Sequence, residues 1–389
     1  MDATLNPYNP GSGMAPPVLA GRDADIAAFS RIIARTKSSR PARSLILSGL
    51  RGVGKTVLLN RLAGQADANG WITVQFEARP GRAGADGARR ALVRGLERGT
   101  LAFKARQSAE KAARMLATVS SFSVSLGLDG VSLGVERDVS RASSRSLELD
   151  LQDVVEDICL SVRAEGIGLG IFIDEMQDLD DELMQALIVA QHHANQRELP
   201  LFVVGTGLPS LPSKLAASRS YAERLFEYRT IGRLSRDDAR DSLSEPAEQE
   251  GASYDDEALD LMVEEAGCYP YFLQEFGSAL WEIADHAPFS TESARAAAIA
   301  GKARLDSGFF PSRWDRATPA EREYLVAMAE DAEGPSYSSI VADRLDKRIQ
   351  SLGPVRAGLI SKGLIYSPER GQVAFTVPGM AEFILRMSG

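Results

Sequence analysis

One glycine-rich octapeptide constrains this chain more than any other feature. Residues Gly49 to Thr56 fit the pattern G-x-x-x-x-G-K-[ST] at every position, after a short apolar run at 44–47 and before a helical apolar pattern that starts at 55. Glycines permit a turn whose successive backbone N–H groups face phosphate oxygens, and the start of the next helix adds a favourable dipole. The pattern therefore predicts a site for a nucleoside triphosphate.

Each residue type in this loop has its own expected role. We expect the Lys55 ammonium to reach the β- and γ-phosphates, and the Thr56 hydroxyl to bind Mg²⁺. The residues predicted to surround the phosphates of ATP or ADP are Gly49, Arg51, Gly52, Val53, Gly54, Lys55, Thr56 and Val57. A glycine turn without a ligand is the alternative, and the strand before the loop and the helix after it argue against that interpretation.

Strand and helix patterns alternate along residues 21–232. Short apolar runs indicate strands at 44–48, 71–76, 170–173, 201–204 and 226–231, with helical patterns between them. Such alternation is typical of an α/β domain with a parallel sheet. Residues 1–20 are rich in proline and glycine, so we expect an extended lead-in without a regular element.

Two acidic residues end the third predicted strand. Asp174 follows the run at 170–173 directly, and Glu175 comes next. Beside a phosphate loop, we expect Asp174 to hold Mg²⁺ together with Thr56, and Glu175 to polarise the attacking water. The alternative is an exposed acidic turn. Thr206 ends the next strand, where it either contacts the γ-phosphate or the water, or serves only as a turn residue.

Arg224 precedes the fifth predicted strand. From there a cation is expected to reach the nucleotide of a neighbouring subunit, which would make the protein a homo-oligomer. Arg219 and Arg229 lie close by in the sequence, and an ordinary surface ion pair fits any of the three equally well.

The segment between the second and third strands, residues 79–150, is an unusually long insertion. Its first part, 79–114, contains ten basic residues against three acidic ones. The second part predicts a β-hairpin, because Phe122, Val124, Leu126 and Leu128 alternate with small polar residues before the turn Asp129-Gly130. The basic residues are Arg79, Arg82, Arg89, Arg90, Arg94, Arg98, Lys104, Arg106, Lys111 and Arg114.

Helical patterns replace the alternation after residue 232. Residues 233–308 predict an all-helical unit whose first helix opens at Ser235. In 309–389, Thr318-Pro319-Ala320-Glu321 predicts a capping box, followed by helices at 337–346 and 351–362 and by two short strands at 364–366 and 373–376. Three helices with a hairpin predict a winged helix.

Composition excludes several classes of protein. The chain has 389 residues and a formal net charge of −9, so it is not a polyanion binder as a whole. No apolar run is long enough for a membrane helix, and the N-terminus has no export signal, so no membrane partner is expected. Cys159 and Cys268 have no partner pattern, which suits a reducing cytoplasm.

These motifs together resemble the AAA+ superfamily, and within it the origin-initiator-like and STAND-like bacterial and archaeal ATPases that end in a winged helix. Gly49 to Thr56 resembles the Walker A motif, Asp174-Glu175 the Walker B motif, Thr206 sensor 1 and Arg224 the arginine finger. The resemblance implies a five-stranded parallel sheet of order 5-1-4-3-2, a helical lid and Mg²⁺-dependent ATP hydrolysis that is slow or stimulated by a partner.

Two further segments resemble family motifs that lie near the adenine base of the nucleotide. Leu19-Ala20-Gly21-Arg22-Asp23 is similar to the adenine-side entry motif, which implies nucleotide contacts for Gly21 and Arg22. Cys268-Tyr269-Pro270-Tyr271 is similar to the lid motif Gly-x-Pro, which implies such contacts for Tyr269 and Pro270. Cys268 stands where the family usually has glycine, and no sensor 2 arginine is evident.

Two functional classes fit the sequence. In the first, the ATPase acts on double-stranded DNA through two basic segments, residues 344–370 and residues 79–114. Residues 344–370 contain six basic residues and only two acidic ones, Asp346 and Glu369. In the second, the winged helix docks a protein partner, and the ATPase is a nucleotide-gated signalling switch.

Overall fold

A computed structural model describes residues 1–11, 13–106, 109–127, 146–332 and 334–388, with the side chains of 104–106, 109 and 388 left out. The chain forms two compact units. The helical unit comprises Met1–Asp23, Gly49–Val57 and Ile231–Gly389, and the sheet unit comprises Ala24–Ser48 and Leu58–Thr230. The domain boundaries at 232/233 and 308/309 stay predictions.

The sheet unit is built on five parallel strands. These are β1 (Ser44–Ser48), β2 (Ile72–Glu77), β3 (Leu169–Asp174), β4 (Leu201–Gly207) and β5 (Phe226–Thr230). Their order is β2-β3-β4-β1-β5, so the predicted order 5-1-4-3-2 is confirmed. All residues of β1 and β4 are buried, as expected for central strands with both faces covered. On β2, at the edge of the sheet, buried and more exposed residues alternate.

Eight helices of the described residues connect or flank these strands. They are α1 (Asp23–Lys37), α2 (Lys55–Ala68), α3 (Gly81–Arg106), α4 (Ala109–Ser125), α5 (Leu147–Val162), α6 (Asp181–Gln196), α7 (Leu211–Ser218) and α8 (Ala222–Leu225). Of the helices among the described residues, none is long and apolar enough to cross a membrane.

The predicted hairpin is wrong over its first arm. Helix α4 continues to Ser125, so Phe122 and Val124 are helical. The physical reason is that Phe122 extends a buried helical stripe through Met115 and Val119, which outweighs the short alternation that starts at Phe122. Residues 128–145, with the predicted turn and second arm, lie outside the described residues.

The helical unit contains the predicted lid and C-terminal helices. The lid helices are α9 (Arg236–Gln249), α10 (Asp256–Glu265), α11 (Pro270–Ile283) and α12 (Thr291–Arg304). The elements that follow are α13 (Pro311–Trp314), α14 (Pro319–Ala329), β6 (Ser336–Tyr337), α15 (Ser338–Arg344), α16 (Gly353–Ser361), β7 (Ile365–Tyr366), β8 (Gln372–Phe375) and α17 (Met380–Ser388). The predicted capping box of Thr318 and Glu321 is confirmed at the start of α14, and the strands form an antiparallel sheet of order β6-β8-β7.

The N-terminal residues are bound to the lid. We call residues 1–9 the N-terminal strap. The Tyr8 side chain is buried, its hydroxyl donates to the Leu243 carbonyl (2.6 Å), and it lies 2.6 Å from the Tyr254 hydroxyl. The Trp281 indole donates to the Asp2 carbonyl (2.8 Å). The prediction of a lead-in without a regular element is wrong at Ala3–Leu5, which forms a short 3-10 turn.

Candidate functional site

The phosphate loop has the backbone geometry that its glycines predict. Gly52 and Gly54 have φ angles of 84° and 90°, in the left-handed region that favours glycine. Gly49 packs so tightly against the Ile231 carbonyl that a side chain there would collide with it. The Lys55 ammonium donates to the carbonyls of Gly49 (2.9 Å) and Leu50 (2.7 Å). Lys55 thus closes the loop on itself and opens helix α2.

Gly21 and Arg22, the two residues of the entry motif predicted to lie near the adenine base, contact the phosphate loop or the lid. The Arg22 guanidinium is buried and donates to the carbonyls of Val53 (3.0 Å) and Gly232 (2.8 Å). It therefore joins the loop to the start of the lid. Gly21 has a φ of 68° and packs against the Asp238 carboxylate, which a Cβ would approach to 2.7 Å.

The lid motif packs on the same loop. A Cβ at Gly52 would lie 3.0 Å from the Tyr269 ring, and the Tyr271 N–H donates to the Gly52 carbonyl (3.2 Å). Pro270 is the first residue of α11. Cys268 has a φ of 56°, so the position where the family usually has glycine does adopt a glycine-favouring conformation.

The acidic pair lies at the end of β3, as predicted. The Thr206 hydroxyl on β4 is buried and donates to Oδ1 of Asp174, which also accepts from the Glu175 N–H (2.9 Å). These two donors orient the Asp174 carboxylate. The predicted contacts of Thr206 with phosphate or water stay a prediction.

Glu175 is held in an uncommon conformation. Its φ of 48° and ψ of 42° place a non-glycine residue in the left-handed region, where backbone strain is frequent at functional sites. The Gln177 amide donates to Glu175 Oε2 (2.6 Å), and Gln177 Oε1 accepts from the Leu208 N–H (3.1 Å). Sequence reasoning missed Gln177, and its only signal is an amide side chain two positions after the acidic pair.

Sheet topology explains why these groups lie at one edge. Strands β3, β4 and β1 are parallel neighbours, and Ser48 pairs with Gly207 while Ile173 pairs with Gly205. The carboxyl ends of these strands therefore meet at a common edge, where ligands of α/β proteins usually bind. Asp174 and Thr206 lie at that edge, and the phosphate loop continues along the chain from Ser48.

Comparison with known proteins identifies one domain of the chain. Residues 18–204 match the AAA ATPase domain. This part of the chain is an AAA ATPase domain. Residues 307–384 match a domain of unknown function, DUF8462. No curated protein matches the chain by sequence.

The fold of the chain is similar to that of two archaeal proteins. It is similar to the Walker-type ATPase PABY2304 of Pyrococcus abyssi, with 15% identity, a TM-score of 0.56 and coverage of 94% of this chain and 96% of that chain. It is also similar to the ORC2 protein of Aeropyrum pernix in its ADP form, with 13% identity, a TM-score of 0.52 and coverage of 97% of each chain. The resemblance predicted from the motifs is thus confirmed at the level of family and fold.

The three arginines near β5 differ in their partners. Arg219 pairs with Glu148 (2.6 Å), and Arg229 pairs with Asp25 (2.5 Å) and Glu227 (3.0 Å). Arg224 is exposed on α8, and no carboxylate of the described residues pairs with it. Among the described residues, Arg224 is therefore the only one of these three arginines without an ion-pair partner in its own chain.

The basic segment 79–114 contains an unpaired row on α3. We call Arg82, Arg90, Arg94 and Arg98 the arginine row. These side chains are exposed, and none has an ion-pair partner among the described residues. Arg90, Arg94 and Arg98 lie four positions apart in succession, so they share one helix face and extend over about 12 Å of helix, whereas Arg82 lies about 80° from Arg90 around the helix. Arg79, Arg89, Lys111 and Arg114 are instead paired with carboxylates, and the side chains of Lys104 and Arg106 lie outside the description.

The second basic segment, 344–370, is largely neutralised. Arg344 pairs with Asp331 (2.5 Å), Lys347 with Glu323 (2.8 Å) and Lys362 with Glu321 (2.5 Å). The Arg356 guanidinium donates to the Ser367 hydroxyl (2.9 Å). Only Arg348 and Arg370 of the six are exposed without such a partner among the described residues.

Proposed function

We propose that this protein binds Mg-ATP and hydrolyses it to ADP and phosphate. The observation that carries the proposal is the Asp174 carboxylate oriented by Thr206 at the carboxyl end of β3, in a chain whose β1 leads directly into a phosphate loop with glycine-specific φ angles. Lys55 and the loop N–H groups bind the phosphates, while Gly21, Arg22, Tyr269 and Pro270 shape the side of the base.

The donor set of the site fits Mg²⁺. The Thr56 hydroxyl and the Asp174 carboxylate are oxygen ligands of the kind that this ion prefers. When bound, Mg²⁺ neutralises charge on the β- and γ-phosphates. Glu175 orients the attacking water and accepts its proton, and the Gln177 amide positions the Glu175 carboxylate for that task.

Two substitutions test these roles. We expect Lys55→Ala to abolish tight ATP binding, because it removes the ammonium that neutralises the phosphates. We expect Glu175→Gln to bind ATP normally but to arrest hydrolysis, because an amide does not accept the proton. Glu257→Gln, an exposed glutamate of the lid, is the matched control. Unchanged turnover in Glu175→Gln would show that Glu175 does not activate water.

We further propose that Arg224 completes the site of a neighbouring copy of the chain. Its exposure and its lack of a partner among the described residues support this role, and such arginines contribute roughly 10³ to 10⁵ in rate. Arg224→Ala and Lys55→Ala should each be nearly inactive alone. Mixing them should restore part of the activity, because a mixed pair contains one interface with an intact Lys55 site and an intact Arg224. No recovery in a mixture shown to co-assemble would exclude the action in trans.

We propose double-stranded DNA as the macromolecular partner. The arginine row supports this, because the exposed guanidinium groups of Arg90, Arg94 and Arg98 along one helix face suit the spaced charges of a phosphate backbone. Arg348 and Arg370 are the basic residues of the C-terminal domain, residues 309–389, that remain available for DNA. Arg348 precedes α16, and Arg370 lies in the turn between β7 and β8. The arrangement of these elements with α14 and α15 supports the winged-helix interpretation.

The salt dependence of binding tests this partner. For B-DNA, the logarithm of affinity falls with the logarithm of salt concentration by about 0.9 per phosphate contact. Replacing Arg90, Arg94 and Arg98 by alanine should reduce that slope by roughly 2 to 3 and should reduce DNA-stimulated turnover. The matched control replaces the paired Arg79, Lys111 and Arg114. A flat salt response in the unmodified protein would exclude phosphate contacts.

The second candidate is a nucleotide-gated switch whose C-terminal domain docks a protein. Two observations favour it: four of the six basic residues in 344–370 are engaged internally, and Tyr337 and Ile340 of this domain are 52% and 41% exposed. Indifference of turnover to duplex DNA, together with nucleotide-dependent capture of a protein partner, would favour the switch. For either function we propose a cytoplasmic location, which is supported by two cysteines that remain free thiols.

A further inference from the structure

A cleft of about 460 Å³ opens in the sheet unit at the amino-terminal ends of β1 and β5. Arg43, which precedes β1 directly, and Glu227, the second residue of β5, both line it. Because the strands are parallel, this edge of the sheet is opposite to the edge that carries Asp174 and Thr206. The volume of the cleft falls within the range of small-molecule sites, roughly 300–1,000 Å³. The cleft is therefore a second concave site, separate from the acidic pair.

One face of α1 forms a wall of this cleft. Ala28, Arg31, Ile32 and Arg35 line it from positions i, i+3, i+4 and i+7, which lie on one side of a helix. Ala28 and Ile32 are buried and supply apolar lining, whereas the two arginines are exposed. Arg43 adds an exposed arginine from the loop before β1. We call Arg31, Arg35 and Arg43 the cleft arginines.

The cleft arginines lack ion pairs. Among the described residues, no carboxylate pairs with any of the three. Glu227 is the only carboxylate among the described lining residues, and it pairs with Arg229 (3.0 Å). Residues 26–43 contain five basic residues and no acidic one, so the chain supplies no local counter-charge.

The charges of the cleft arginines have little compensation from α1 itself. Arg35 lies in the last turn, where the helix dipole favours a cation, but Arg31 lies one turn earlier and Arg43 lies outside the helix. Like charges four positions apart on a helix repel each other, as Arg31 and Arg35 do. An anion in the cleft would offset this repulsion and bind to all three guanidinium groups.

Two hydrogen-bond donors of the cleft are already held in place. Arg35 Nε donates to the Pro41 carbonyl (2.8 Å), which fixes the plane of the guanidinium and leaves both Nη groups without a partner among the described residues. Asn195 Oδ1 accepts from the Gln191 amide (2.9 Å), so its Nδ2 is a donor that borders the cleft. Donors that are oriented in advance lose less entropy when a ligand binds.

A phosphate matches this arrangement better than a carboxylate does. A carboxylate has two oxygens, which a single guanidinium fork occupies, whereas a phosphate has further oxygens for a second guanidinium. Arg31 and Arg35 lie about 6 Å apart along the helix axis, a distance that a chain of phosphate groups can bridge. The backbone of a DNA duplex presents its phosphates on the outside of a rod, which suits the exposed arginine row on α3 better than a recess.

We propose that the cleft arginines bind a small ligand that carries two or more linked phosphate groups. Arg31, Arg35 and Arg43 bind the phosphate oxygens, and Asn195 adds a neutral donor. This site lies at the opposite edge of the sheet from the acidic pair, and it does not depend on the proposed ATPase function.

The test uses inorganic tripolyphosphate as the ligand and Lys55→Ala as the parent protein, so that the Walker A loop contributes little to binding. Arg31→Gln and Arg43→Gln are introduced together into this parent. The matched control introduces Arg61→Gln and Arg295→Gln, which remove the same charge from two exposed arginines without ion pairs among the described residues. Calorimetry should show roughly ten-fold or more weaker binding in the cleft variant, because it loses charge-assisted hydrogen bonds. The control should change affinity less than about two-fold, because distant charges are screened.

A second measurement locates the ligand. Hydrogen exchange of peptides covering 28–46 should slow with tripolyphosphate in the parent and in the control variant, but not in the cleft variant. Thermal unfolding of both variants checks that the sheet unit remains folded. Slower exchange in the cleft variant equal to that in the parent would place the ligand elsewhere and overturn the proposal.

The remaining outcomes discriminate between kinds of anion. Absence of tripolyphosphate binding to the parent, or equal losses in the cleft and control variants, would overturn the site. Citrate binding as tight as that of tripolyphosphate would show attraction for any polyanion and overturn the preference for phosphate. A loss of duplex DNA binding in the cleft variant with unchanged tripolyphosphate binding would assign the cleft to nucleic acid instead. None of these results decides the ATPase proposal, which the Glu175→Gln variant tests separately.

Discussion

Replacing Thr206 by valine should impair the use of Mg²⁺ without disrupting the fold. Thr206 is fully buried on β4, and its hydroxyl donates to the Asp174 carboxylate. Valine has nearly the same shape but lacks the donor. A hydrogen bond to a charged group contributes about 1.5–3 kcal/mol, and each 1.4 kcal/mol corresponds to about ten-fold in affinity. The half-saturating Mg²⁺ concentration should therefore rise roughly ten- to a hundred-fold, a range typical of residues that orient metal ligands.

The assay is ATP turnover as a function of free Mg²⁺. Thr206→Val should recover most of its rate at saturating Mg²⁺, and Thr206→Ser should titrate close to the unmodified protein, because serine retains the hydroxyl. Thermal unfolding of both variants checks that β4 remains intact. A valine variant that is stable and titrates at the original Mg²⁺ concentration would refute the role of Thr206. A loss in Thr206→Ser as large as that in Thr206→Val would show that the hydroxyl alone does not account for the effect.

Three other predictions follow from the structure. Gln177→Ala should lower kcat for ATP roughly ten-fold with an unchanged Kd, because it releases the Glu175 carboxylate from a hydrogen bond; an unchanged kcat would exclude the positioning role. Tyr8→Ala should destabilise the lid by about 3–5 kcal/mol, seen as a lower Tm and faster hydrogen exchange in 236–283, whereas Tyr337→Ala, at an exposed tyrosine, should have little effect. Burial raises the pKa of both Tyr8 and Tyr254 above 10.0, so the folded state favours their neutral forms. Their contribution to stability is therefore complete below about pH 10 and falls above it, and Tm measured from pH 8 to 11 should drop less steeply in Tyr8→Phe.

The phosphate loop and the sheet were predictable because their signals are local. Glycines at positions 52 and 54 are required by left-handed φ angles, and that requirement depends only on the turn itself. Continuous apolar runs mark the buried strands β1, β3 and β4. The acidic pair follows β3 directly, so its position at the edge of the sheet follows from chain order.

The partners of charged and polar side chains were not predictable. Counting basic residues suggested a positive face at 344–370, but ion pairs of Arg344, Lys347 and Lys362 neutralise half of that set. Their acidic partners, Asp331, Glu323 and Glu321, all lie outside residues 344–370, so a count of charges within that segment omits them. The count also gave residues 79–114 a surplus of basic residues, but it did not show that only the arginine row on α3 lacks such partners among the described side chains.

The first arm of the predicted hairpin shows a different limit. Alternation over Phe122 and Val124 is compatible with a strand, while the spacing of Met115, Val119 and Phe122 is compatible with a helix. A short segment satisfies both periods, and packing of the helical stripe against its neighbours decides between them.

The amino-acid sequence alone determined the family, the parallel sheet and the residues of the Walker motifs, because these depend on short patterns that dictate their own backbone conformation. The tertiary structure decided how the N-terminal strap binds the lid, which arginines stay unpaired, and that Arg51 packs on Gly363 and Thr376. Those contacts join residues hundreds of positions apart. Burial and charge pairing at such distances are set by the three-dimensional packing of the chain, which no local pattern records.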